Sequence, residues 1–234
     1  MSIWNPPIPI SAVSRFNLLL PNSGTPQERL MKSNRAILTA LTLMGFVLLM
    51  RIIPYLLISS NSTDTTPGFS FYPWNFAPMS AACLTFGALF GNRRGYAYVA
   101  ALAMMFLCDL ATGWTMRNMA FFGLHVLIPF TWGCSVFNAW LGTSLFVRRT
   151  IPRAVTVALI GEVVFFLVTN AGNWWLMPTH PLTFSGLIAT YFDAIPFFQN
   201  QLIGTAMYGS LFYALAVLSE RLPATHNPAC GTTE

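Results

Sequence analysis

Residues 36–58 read AILTALTLMGFVLLMRIIPYLLI, with Arg51 as the single charge. At about 1.5 Å per residue a helix of this stretch is roughly 34 Å long, enough to cross a hydrocarbon core of about 30 Å. It predicts a transmembrane helix, and the rest of the chain repeats the theme. Residues 77–91 are short and rich in small side chains. Residues 96–113 form a third apolar segment. Residues 119–146 form a long fourth, in which Pro129 predicts a kink. Residues 152–171 open on Pro152, and residues 199–219 complete the set. The expected fold is an all-α integral membrane protein with six transmembrane helices. No internal repeat supports an inverted-repeat transporter.

Composition agrees. The chain has 234 residues, and only 8% are charged, while 55% are hydrophobic. An average soluble domain carries about 25% charged residues. Mean hydropathy is +0.58. Such a chain lacks the polar groups to cover a water-facing surface, so soluble domains and disorder are both excluded. The pI near 9.3 reflects membrane topology and not nucleic-acid binding.

Placing the basic residues orients the bundle. With the N-terminus inside, the cytoplasmic side holds Arg15, Arg29, Lys32, Arg35, Arg93, Arg94, Arg148, Arg149, Arg153 and Arg221. Only Arg51 and Arg117 fall at or near the outer side. An odd number of spans breaks this pattern, so both termini are expected in the cytoplasm. Residues 1–25 read as an irregular, Pro-rich cytoplasmic arm without the features of a secretory signal. Thr25-Pro26-Gln27-Glu28 supplies a helix start, with Thr as N-cap, Pro at the first position and Glu at the third. The transmembrane domain then runs over 26–221, and 222–234 form a flexible cytoplasmic tail.

The connections differ by side. The inner ones, residues 92–95 and 147–153, are short and basic. The outer ones are long: a polar loop over 59–76 and an aromatic loop over 172–198, of which 183–194 suits a short helix lying at the interface. Elaboration outside points to recognition on that face.

Ionisable groups inside spans are costly and are functional candidates by default. Arg51 and Asp109 fall at similar depth in the first and third helices, predicting an ion pair or a shared polar network. Glu162 lies near the middle of the fifth helix. With Phe166, Thr169, Asn170 and Asn173 it forms a mostly polar stripe at helical spacing, read either as a cavity wall or as a set of interhelical hydrogen bonds. Ala36-x-x-x-Ala40 and Gly87-x-x-x-Gly91 are small-residue spacings suited to close helix contacts. Enzyme motifs are missing: His125, His180 and His226 are scattered, and neither a metal-binding His pair, a nucleophile elbow nor a P-loop occurs. The four cysteines (83, 108, 134 and 230) show no zinc spacing, so neither an enzyme nor a resident cofactor or metal is expected.

Several of these residues together resemble an uncharacterised family of bacterial membrane proteins assigned to transport. They are Arg51-x-x-Pro54, Asn75-Phe76-x-Pro78 leading to Gly87, Asp109, Phe165-Phe166-x-Val168-Thr169-Asn170 with Trp174, and Thr183-x-x-Gly186-Leu187 with Tyr191. Ile195-Pro196-Phe197-Phe198 and Gly204 extend the likeness, which covers about 40–215. That family is similar in architecture to the S components of energy-coupling-factor transporters, the substrate-binding subunits for vitamin uptake. The resemblance implies an S-component-like bundle in the bacterial cytoplasmic (inner) membrane. It implies capture of a small, vitamin-like nutrient from outside and docking on a transmembrane coupling subunit with ATPases. Ala36 and Ala40 match the docking motif of such subunits.

On this reading the pocket is lined by Arg51, Asn75, Asp109, Asn170, Trp174, Trp175 and Tyr191. Arg51 meets an anionic group, Asp109 holds Arg51 or a cationic group, and the aromatics stack on a flat ring. Three alternatives stand beside it. One is a self-sufficient transporter or channel with Glu162 as a proton or cation relay. Another is cobalamin uptake, with Cys108 as ligand to the cobalt of the transported molecule. The last is an assembly subunit without a small ligand.

Overall fold

The computed structural model describes residues 26–60, 78–115, 126–147 and 150–221. The arm 1–25, the tail 222–234, most of the 59–76 loop (Asn75 included), Arg117 and His125 lie outside the described residues. Among the described residues every regular element is helical: α1 (Pro26–Ser60), α2 (Met79–Phe90), α3 (Arg94–Thr115), α4 (Ile128–Val147), α5 (Ile151–Leu176) and α6 (Phe184–Arg221). Residues Ala36–Pro223 form one compact unit, and the opening turns of α1 up to Arg35 belong to another.

The helix boundaries follow local chemistry, with two corrections. α1 begins at Pro26, whose fixed φ and missing N–H suit the first helical position. Pro129 does not kink the fourth helix. It is the second residue of α4, where no intrahelical donor is lost, and the N–H groups of Phe130 and Thr131 both bond to the Leu127 carbonyl. The expected short interfacial helix over 183–194 is not separate from the sixth span. Both belong to α6, a single rod of 38 residues that carries Pro196 inside it. Thr183 caps this rod, its Oγ1 accepting the Gly186 N–H at 3.2 Å. At about 57 Å it is far longer than a bilayer core is thick.

α2 is the centre of the bundle. It has only 12 residues, about 18 Å, and every residue from Ala81 to Ala88 is buried. A 3-10 turn, Gly91–Arg93, folds it back on α3, which brings Cys83 near Cys108. α4 lies closest against α2. A methyl group on Gly87 collides with the Ala139 carbonyl and the Gly142 backbone, and one on Gly142 collides with the Leu84 backbone. Glycines at 87 and 142 therefore let two backbones touch, the means by which membrane helices gain packing without a hydrophobic drive. α1 joins through larger side chains: Phe46 meets Phe212 edge-on at 5.7 Å and Tyr208 at 6.0 Å, with Leu43 and Val47 buried beside them. Ala40 is buried in this same core.

The outside of the bundle is as apolar as its interior. Along α5, Val155, Leu159, Ile160, Val163 and Leu167 are exposed at helical spacing. Such a continuous apolar exterior suits lipid and not water. Among the described residues three stretches are long and apolar enough to cross a bilayer: Ser33–Ile53, Met79–Trp114 (α2 with nearly all of α3) and Ile151–Leu176.

Candidate functional site

The bundle interior holds two sets of polar side chains, and the junction of α5 with α6 holds a third. The deepest centres on Glu162, 1% exposed on α5. Thr205 Oγ1 donates to Glu162 Oε1 at 2.6 Å, and Gln201 Nε2 donates to Oε2. Gln201 and Thr205 are four residues apart on α6, so they present one face to α5. The Ser80 side chain, in the first turn of α2, is a third hydrogen-bond partner. The carboxyl group thus sits at the positive end of a helix, a favourable place for negative charge. Gly161 precedes it and has no side chain to hold α4 away. Asn138 Oδ1 therefore approaches the Gly161 Cα closely. Asn138 is 1% exposed, and its Oδ1 has no hydrogen-bond partner.

The polar stripe along α5 divides. Glu162 makes interhelical bonds, whereas Thr169 Oγ1 donates to the Phe165 carbonyl and Asn170 Nδ2 to the Phe166 carbonyl, both within their own helix. Asn173 contributes its backbone carbonyl to the Met177 N–H, closing the helix.

A second set joins α1, α3 and α4. Asp109 is 4% exposed and accepts a 2.8 Å hydrogen bond from Trp132 Nε1. The ring of Trp132 also stands edge-on to Phe106. Arg51 has its Nε buried. Both Arg51 and Asp109 lie within electrostatic reach of the buried Cys108 thiol. The structure therefore brings the two expected charges to one neighbourhood and places Cys108 there, away from any exposed surface.

Asn170, Trp174 and Tyr191 lie where the C-terminal end of α5 meets the N-terminal part of α6. Tyr191 donates its hydroxyl to the Leu167 carbonyl at 2.9 Å, and Phe166 packs between Tyr191 and Phe198, 5.5 and 4.6 Å between centroids. Trp174 Nε1 donates to the Pro181 carbonyl at 3.0 Å, and His180 Nε2 meets Asp193 Oδ2 at 2.7 Å. These contacts fasten the 177–183 turn to both helices. Trp175 is exposed.

Sequence reasoning found Glu162, Asp109 and Arg51 because charges are rare in apolar spans. It missed Gln201, Thr205, Ser80, Asn138 and Trp132. The Gln201-x-x-x-Thr205 spacing inside an apolar span was the available signal.

Fold and surface together define an all-helical integral membrane protein. The chain belongs to the family of unknown function DUF6580, whose family model matches residues 31–225. No curated protein and no solved structure matches it.

Proposed function

We propose that the protein is a substrate-binding transport subunit of the S-component type in the bacterial inner membrane. Both of its termini lie in the cytoplasm, and it captures a small, vitamin-like nutrient from the outer side. The observation that carries this reading is the presence of opposite charges, Arg51 and Asp109, within electrostatic reach of the same buried Cys108 in an apolar bundle. Such charges are retained in a membrane interior where they hold a ligand or one another. The half-length α2 adds support, since interrupted helices mark binding sites in transport proteins.

The pocket is proposed to be lined by Arg51, Asp109 and Asn75, with Asn170, Trp174, Trp175 and Tyr191 forming its outer rim. Asn170, Trp174 and Tyr191 already hold local hydrogen bonds, so the rim contributes shape and stacking more than polar recognition. A coupling subunit with ATPases is the proposed partner. Because Ala40 packs inward, it meets α1 mainly on the exposed face of Ile37, Leu38 and Leu41.

Native mass spectrometry of gently solubilised protein, with a visible absorption spectrum of the same sample, tests the reading. A retained small molecule supports it, and corrinoid absorbance assigns Cys108 a role. Uptake that survives Asn75→Ala combined with Asp109→Ala sinks the pocket.

A further inference from the structure

One end of the bundle gathers exposed arginines beside exposed apolar side chains. Ala88, near the end of α2, packs with Leu145 of α4 and with Ala154 and Val157 of α5. The α2–α3 turn, the last turn of α4 and the first turn of α5 therefore lie at the same end. Arg93, Arg94 and Arg153 stand there, all exposed. Neither α3 nor α5 has an acidic residue in its first turn. Among the described residues these three arginines make no ion pair. Asp109 and Glu162 are buried in the interior, and Asp193 meets His180 beyond the far end of α5. Glu220 adjoins Arg221 in the sequence, so that pair adds no net charge. The Arg93 guanidinium lies over the Tyr96 ring, 5.9 Å from its centroid, and Tyr96 leans on Phe90 at 6.1 Å. A guanidinium held over a ring keeps its N–H donors for an anion. Tyr96 and Val99 on α3, and Ile151 and Val155 on α5, are exposed within two turns of the arginines. The surface thus passes from apolar to cationic over a few residues.

We propose that this end of the bundle is a docking surface for the head groups of anionic phospholipids. Arg93 and Arg94 meet the phosphate, Tyr96 and Val99 lie along the acyl chain, and Arg153 extends the cationic surface on α5. Arginine suits the role because its planar fork of donors matches phosphate oxygens. Charge and shape together select the occupant. An acidic peptide answers the arginines but leaves the neighbouring apolar side chains uncovered. A zwitterionic lipid covers those side chains but brings no net charge to three cations. An anionic phospholipid does both, and a basic surface at the edge of a lipid-facing one is where such head groups are held. The inference needs only that the bundle sits in a membrane, and is independent of whether a nutrient is carried.

The test is native mass spectrometry of the purified full-length chain in a neutral detergent. It is titrated with phosphatidylglycerol and with phosphatidylcholine of the same acyl chains. Phosphatidylglycerol is expected to bind roughly 25-fold more tightly, about fivefold for each of two arginines. Arg93→Gln with Arg94→Gln is expected to remove most of that preference, and adding Arg153→Gln to weaken binding about fivefold further. Arg93→Lys with Arg94→Lys keeps the charge and is expected to keep the preference. His180→Gln, at the other end of α5, is expected to change nothing. A second measurement needs no variant: raising ammonium acetate from roughly 0.05 to 0.5 M screens exposed charges and is expected to shrink the preference. Equal binding of the two lipids, a preference indifferent to salt, or a preference untouched by the glutamine substitutions in folded protein overturns the proposal. Displacement of the lipid by polyglutamate at equal charge concentration overturns it too, and assigns the surface to an acidic protein.

Discussion

Asp109 and Gly161 illustrate how single atoms set the interior. Asp109 accepts a hydrogen bond from the Trp132 indole N–H at 2.8 Å. Trp132→Phe keeps an aromatic ring against Phe106 and deletes that donor. A hydrogen bond to a charged group is worth about 2 kcal/mol, so this variant is expected to lose about that much in a reversible unfolding titration. Gly161→Ala has a different cause, since the new methyl meets Asn138 Oδ1. Overpacking of this kind costs about 2 kcal/mol. Adding Asn138→Ala is expected to restore most of the loss, and a double-mutant cycle reads the coupling directly. Charges in apolar spans, Arg51, Asp109 and Glu162, were legible in the sequence because their desolvation cost makes each one conspicuous. Their neutral partners were not. Ser, Thr and Gln side chains occur throughout membrane helices, where many simply bond to their own backbone, as Thr169 and Ser210 do.

At the scale of elements, the α2–α4 seam is the least forgiving contact. Gly87→Val pushes a branched side chain into the Ala139 carbonyl and the Gly142 backbone, neither of which can rotate away. It is expected to prevent accumulation of folded protein in the membrane, with Gly45→Val as a control, since Gly45 has open space around it. The 177–183 turn is expected to tolerate change. His180 and Asp193 are a well-exposed pair, and removing either is expected to alter stability by less than about 1 kcal/mol. Segment positions were legible from apolar runs, but several ends were not. Pro129 reads the same whether it lies within a helix or at its start. The resolving fact is where the chain first donates, at Phe130 and Thr131. The continuity of α6 through Pro196 was hidden for a related reason. A proline removes one hydrogen bond, and neighbouring turns can hold a helix together across that gap.

For the whole molecule, an apolar exterior around an equally apolar core that holds a few buried polar groups departs from the pattern of a soluble protein, and composition alone announced it. The crossing topology is open to direct measurement. In a background with Cys230→Ser, the remaining cysteines are buried and are expected to stay unlabelled by a membrane-impermeant maleimide. A new cysteine at Asn92 is expected to react only from the cytoplasmic side, and one at Leu182 only from outside; the reverse pattern overturns the orientation. The central position of α2 was not legible, since a short apolar run of small residues reads as a weak span and not as the hub. Its brevity bears on how the chain is made. A 12-residue helix delivered sideways into lipid by itself leaves bare amide groups in oil at its leading end. α2 therefore has to wait in the insertion machinery until α3 follows and α4 arrives to cover it. The bundle is thus assembled around its middle during synthesis, and a pause or truncation before Ile128 leaves a nascent chain with nowhere to put α2.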